Sequence, residues 1–168
     1  YKNSEKFSRR ILKKFPDNAS ALLNLGNIAY CKGDYETAFQ FYEAVYKNNK
    51  ASYIAVVNMA NTCYDLGRFV KALDYARKAL KLYPSSVDAY IISGNSYIEL
   101  GRYEKAENCL LRALDLRNDN PWIYTSLSRL YQKIENWDKA LEAGWNAVLY
   151  AGEAQKDQHI NFGYLLYE

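Results

Sequence analysis

Residues 93–106 read SGNSYIELGRYEKA, with Gly94 and Gly101 seven apart and Asn95, Ser96 and Arg102 beside them. Such a stretch could turn backbone N–H groups toward a phosphate. That chemistry needs a single loop between a strand and a helix. Residues 25–38, LGNIAYCKGDYETA, repeat the same glycine spacing at Gly26 and Gly33, with Asn27 after the first glycine and Tyr35 two places after the second. A segment that returns at a fixed interval is a structural unit, not a phosphate loop. Other chemistry is equally thin. His159 is the one histidine, and no G-x-S-x-G or P-loop occurs. The carboxylates Asp65, Asp74, Glu99 and Glu104 fall at solvated helix positions. The cysteines Cys31, Cys63 and Cys109 are odd in number and lack C-x-x-C spacing, which argues against a disulfide framework and for a reducing, cytoplasmic compartment. Zinc takes about four ligands, and the chain shows no such set. The expectation is no catalytic residue, no metal and no cofactor.

One polar column does suggest a binding role. Asn27, Asn61 and Asn95 recur at a constant interval, and Arg129 takes the fourth place. An asparagine amide both donates and accepts, so it suits the N–H and C=O of an extended peptide. One turn earlier stand the aliphatic Leu23, Val57 and Ile91. Polar groups for a ligand's backbone and apolar pockets for its side chains are a common mode of peptide recognition. Tyr30, Tyr64 and Trp122 lie on the same face, and Arg129 suits an acidic side chain or a chain terminus.

The elements that must carry these columns follow from the same interval. With a period of about 34 residues, the chain divides into 19–52, 53–86, 87–120 and 121–154, without gaps. Ala38, Ala72, Ala106 and Ala140 form one column, and Tyr35, Phe69, Tyr103 and Trp137 an aromatic one. Gly26, Ala60, Gly94 and Ser128 form a small one, and Gly33, Gly67 and Gly101 give way to Glu135 in the fourth unit. Within unit one, Leu22, Leu25, Gly26 and Ala29 keep helical spacing, as do Tyr35, Ala38, Tyr42 and Val45. Each unit is thus a helical hairpin that must bury its apolar face against a neighbour. In the fourth unit Gly144 stands where Tyr42, Ala76 and Leu110 stand; either the helix bends there or a large residue such as Trp137 or Trp145 fills the space.

The period and the motif residues Tyr90, Ser93, Gly94, Tyr97, Gly101, Tyr103, Ala106 and Pro84 resemble the tetratricopeptide repeat family. The resemblance implies an all-α fold, a right-handed superhelix of stacked helix-turn-helix units (an α-solenoid), whose first helices line a concave groove that binds a protein or peptide. Some members clamp chaperone tails with a lysine one turn before the first asparagine; the aliphatic Leu23, Val57 and Ile91 depart from that pattern.

Residues 1–16 match the second helix of a truncated unit, and 155–168, with Phe162 and Gly163, an additional or capping helix displaced by one residue. Residues 1–16 carry six basic side chains against Glu5, a solvated basic face. The net charge of +3 is too small to argue for nucleic acid, and the chain lacks the long apolar run that a membrane span needs. The function expected is a protein-interaction module. Alternatives are the substrate-recruiting arm of a larger enzyme, or a scaffold that self-assembles into a homo-oligomer through its end helices.

Overall fold

Polar caps set where the first helix of each unit begins. In the computed structural model, which describes residues 2–154, helix α1 spans Lys2–Lys14 and α2 Ala19–Cys31. The Asn18 side chain accepts from the backbone N–H of Ala21 at 2.9 Å and so starts α2. Ser52 and Ser86 cap α4 (Tyr53–Asp65) and α6 (Val87–Glu99) in the same way. Asn120 caps α8 (Pro121–Lys133), whose proline occupies the first turn, where no N–H is needed. The four first helices, each of 13 residues, therefore start at equal intervals, at Ala19, Tyr53, Val87 and Pro121. Between them lie α3 (Tyr35–Asn48), α5 (Phe69–Leu82) and α7 (Tyr103–Leu116), and α9 (Trp137–Ala154) follows α8. Residues 155–168, read above as an additional or capping helix, lie outside the described residues.

The turn between the two helices of a unit is a left-handed cap. Gly33, Gly67 and Gly101 have φ of 77°, 70° and 67°. The following residue sends its N–H back five positions, as Arg68 does to the Cys63 carbonyl at 2.8 Å, which satisfies carbonyls at the end of the first helix. Glu135 holds the same conformation with φ 59°, and Asn136 bonds the Tyr131 carbonyl at 2.9 Å. The fourth unit thus keeps the turn without the glycine.

The helices pack as antiparallel pairs in an all-α solenoid. Ala38, Ala72 and Ala106 are wholly buried at the crossings. At Gly26 an added Cβ would lie 2.5 Å from Tyr42 Cε1, and at Gly94 2.6 Å from Leu110 Cγ. A large residue on the second helix thus fits against a glycine on the first. The fourth unit does otherwise. Gly144 meets Ser128, whose hydroxyl donates to the Ala140 carbonyl at 2.8 Å. Neither candidate filler closes the space: Trp137 and Trp145 are both exposed and line the open groove that Ser128 and Gly144 also line.

Each helix packs against its neighbours in sequence, but α6 also packs on α4, and α8 on α6. The second helices α3, α5, α7 and α9 make no comparable contact with one another. The first helices are therefore the crowded, inner side of a curved array. Among the described residues, no helix is long and apolar enough to cross a membrane.

Candidate functional site

The inner side presents the asparagine column, and each amide is half engaged. Asn27 is exposed; its Oδ1 accepts from the Tyr42 hydroxyl at 2.8 Å and, more distantly, from Asn58 Nδ2 at 3.5 Å. Asn61 is half-buried and donates from Nδ2 to the Tyr30 hydroxyl oxygen at 2.8 Å. Asn95 is half-buried and accepts at Oδ1 from Arg129 at 2.9 Å. The partners of Asn95 and Asn61 dictate their orientations. A guanidinium can only donate, so Asn95 must turn its oxygen to Arg129. Tyr30 gives its proton to the Asp65 carboxylate, so it can only accept from Asn61. What remains is the Nδ2 of Asn27, the Oδ1 of Asn61 and the Nδ2 of Asn95, none with a partner among the described residues.

Arg129 reaches furthest. From α8 it donates to the Tyr64 hydroxyl on α4 at 2.9 Å, to Asn95 on α6, and lies 3.4 Å from Glu99. It joins three first helices and keeps 38% of its side chain exposed. Tyr30 similarly ties α2 to α4. Burial, reinforced by the neighbouring Asp65 carboxylate, holds the Tyr30 phenol well above the usual tyrosine range. Burial likewise pushes Tyr42 up to about 12.

The aliphatic column divides. Leu23 and Ile91 are half-buried, whereas Val57 is 9% exposed and belongs to the core between α4, α5 and α6. Val57 therefore offers the inner side little more than an edge. Trp122, in the first turn of α8, is 61% exposed and far more accessible than the aliphatic column. Tyr30 and Tyr64 are half-buried, and both hydroxyls are engaged as described.

Two residues matter more here than their spacing in the sequence suggests. Asp65 and Glu99 occupy equivalent places at the ends of α4 and α6. Rather than facing only solvent, they receive Tyr30 and Arg129. The cue would have been the recurrence of a carboxylate one residue after Tyr64 and after Ile98, but their partners sit on the neighbouring unit's first helix. Cys31 is exposed, Cys63 buried and Cys109 half-buried, all three as free thiols. Among the described residues no group of three or more His, Cys, Asp or Glu side chains is placed to hold a metal ion.

Comparison with known proteins agrees with this architecture. A family model described as tetratricopeptide repeat matches residues 17–85, and one described as TPR repeat matches residues 94–135. No curated protein matches the sequence. Among solved structures, TTC0263, a thermophilic TPR protein of Thermus thermophilus, is 23% identical with a TM-score of 0.79, over 90% of this chain and 84% of that one. MamA is 20% identical with a TM-score of 0.74, over 90% of this chain and 89% of that one. The TPR domain of Arabidopsis OM64 is 27% identical with a TM-score of 0.65, over 68% of this chain and 94% of that one. On the period, the paired helices and these family matches, the chain belongs to the tetratricopeptide repeat family.

Proposed function

We propose that the chain binds an extended segment of a protein partner along the inner side formed by α2, α4, α6 and α8. Tetratricopeptide repeats are in general protein–protein interaction modules, and the finer reading rests on one observation. Asn27, Asn61 and Asn95 each have one amide atom anchored by the protein and the other unused. An anchored amide is oriented in advance, so little side-chain freedom is lost when it meets a ligand. The unused atoms run donor, acceptor, donor along the array. Packed helices lie ~8–10 Å apart and an extended chain rises ~3.3 Å per residue. The column would thus meet a peptide backbone at about every third residue. Each bond contributes a net ~0.5–1.5 kcal/mol, which sets register and direction more than affinity. Leu23, Ile91 and Trp122 supply apolar contact for ligand side chains, with Val57 contributing an edge. Arg129 supplies positive charge for an acidic residue or a terminal carboxylate.

The test is to select binders from a random-peptide display library on the full chain and to photo-crosslink the strongest one back to it. Crosslinks on α2, α4, α6 and α8 are expected. Crosslinks confined to α3, α5 and α7 would place binding on the outer side and reject the proposal.

A further inference from the structure

The asparagine column also constrains the conformation of whatever it reads. Asn27, Asn61 and Asn95 stand at one position of α2, α4 and α6. These helices are close neighbours: α6 packs on α4, and Tyr30 on α2 bonds both Asn61 and Asp65 on α4. The column therefore advances by one helix spacing per repeat, ~8–10 Å. A bound α-helix does not suit it, because the N–H and C=O groups of a helix bond one another. A β-strand turns the same edge to the column every second residue, at ~6.6 Å, or every fourth, at ~13 Å. Its third residue faces away. A polyproline II helix makes one turn in three residues at ~3.1 Å each, so the same face returns every ~9.3 Å. Its backbone groups carry no internal hydrogen bonds and are free to meet the column. Of the regular conformations, this one has the matching period.

The unused amide atoms add a pattern. They are Nδ2 of Asn27, Oδ1 of Asn61 and Nδ2 of Asn95, so three successive turns must offer C=O, N–H and C=O. Proline has a C=O but no N–H. It suits the turns opposite Asn27 and Asn95 and is barred opposite Asn61, whose oxygen is left free because Tyr30 takes its Nδ2. Elsewhere in the segment proline fixes φ near the polyproline II value and lowers the ordering cost. The neighbouring aromatics also suit prolines. The Tyr30 ring lies 5.2 Å from that of Tyr35, and the Tyr64 ring 5.6 Å from that of Phe69. Their hydroxyls are tied to Asn61 and Arg129. Two half-buried rings are thus held one repeat apart beside the column, and polyproline II segments dock in aromatic-lined grooves.

We propose, resting on the reading that the asparagine column meets a ligand backbone, that the partner segment binds as a left-handed polyproline II helix. The segment is rich in proline but carries a residue other than proline opposite Asn61. From Asn27 to Asn95 it runs two turns, about seven residues.

The experiment titrates the full chain by calorimetry with three synthetic peptides of equal length. One has a single alanine between two runs of four prolines, one is all proline, and one alternates valine and threonine, which favour the β conformation. The alanine-interrupted peptide should bind tightest. The all-proline peptide should bind roughly two- to tenfold more weakly, the loss of one hydrogen bond, and the valine–threonine peptide more weakly still. In Asn61→Leu the preference for the alanine should vanish while the all-proline affinity stays as in the wild type. A valine–threonine peptide that binds as tightly as the alanine-interrupted one would overturn the proposal. Equal wild-type affinity for the two proline peptides would do so too, as would a preference that survives Asn61→Leu. If neither proline peptide binds but a display-selected peptide crosslinks to α2, α4, α6 and α8, the polyproline II conformation is rejected and the peptide-binding reading stands. Crosslinks confined to α3, α5 and α7 would reject both.

Discussion

Gly94 and Leu110 show how one residue type can be fixed by its neighbour. Leu110 is wholly buried, and an added methyl at Gly94 would lie 2.6 Å from its Cγ, far inside ordinary contact. Gly94→Ala gains helix propensity worth ~1 kcal/mol but overpacks a filled site, which costs ~1–3 kcal/mol. The net expectation is a lower denaturation midpoint in urea, and an unchanged or higher one would mean that Leu110 moves aside freely. Glu135 is the opposite case. It holds φ 59° where three glycines do the same work. A side chain in that region costs ~1–2 kcal/mol, so Glu135→Gly should stabilise the chain by about 1 kcal/mol or slightly less, after the loss of unfolded-state restriction. Equilibrium unfolding measures this directly; a destabilised variant would show that the glutamate side chain contributes something the backbone argument omits.

At the level of helices, the hairpins are closed by tyrosines and a thiol that are neutral when buried. Burial raises Tyr42 to about 12 and Cys63 to about 11. For Tyr131 burial, and then its hydrogen bond to Glu107, raise it to about 12. A raised folded value means that stability is fully present below the unfolded value and is lost as pH climbs through the folded one. The thermal midpoint should therefore hold up to about pH 9, where an ordinary thiol is half ionised, and fall steadily toward about pH 12. Tyr42→Phe should flatten part of that fall, and an identical slope in wild type and variant would show that Tyr42 does not supply it. Much of this level was legible in the sequence. The repeat columns mark the helices because each column meets the same neighbour in every unit. The fourth unit was less legible, because the choice between a bent helix and a tryptophan filler assumed that the space at Gly144 must be filled within the unit. Ser128 faces it instead, and both tryptophans stay exposed.

Across the whole molecule, the inner side is bound together by side chains that skip along the array. Arg129 reaches Tyr64 across two units, and Tyr30 links α2 to Asn61 and Asp65 on α4. Asn27, Asn61, Asn95 and Arg129 could be picked out as one surface because they repeat off the core stripe. Their hydrogen-bond partners could not. Those depend on the distance between helices that are one or two repeats apart in the chain, which sequence spacing does not contain. The burial of Val57 is hidden for the same reason, since its cluster draws on α5 and α6 as well as α4. These ties also bear on how the binding proposal is tested, because removing a whole asparagine would break the array's own bonds along with any to a ligand.

The most direct measurement changes only the unused half of the amide. In Asn95→Asp an oxygen remains to accept from Arg129, while the free Nδ2 donor becomes an acceptor. Asn27→Asp does the same opposite Tyr42. Titration calorimetry with a display-selected peptide should show affinity weakened by roughly a few-fold to tenfold per substitution, as expected for one lost bond of ~0.5–1.5 kcal/mol, while the thermal midpoint stays the same or rises. Wild-type affinity in both variants, with the peptide still bound, would contradict a backbone-reading asparagine column.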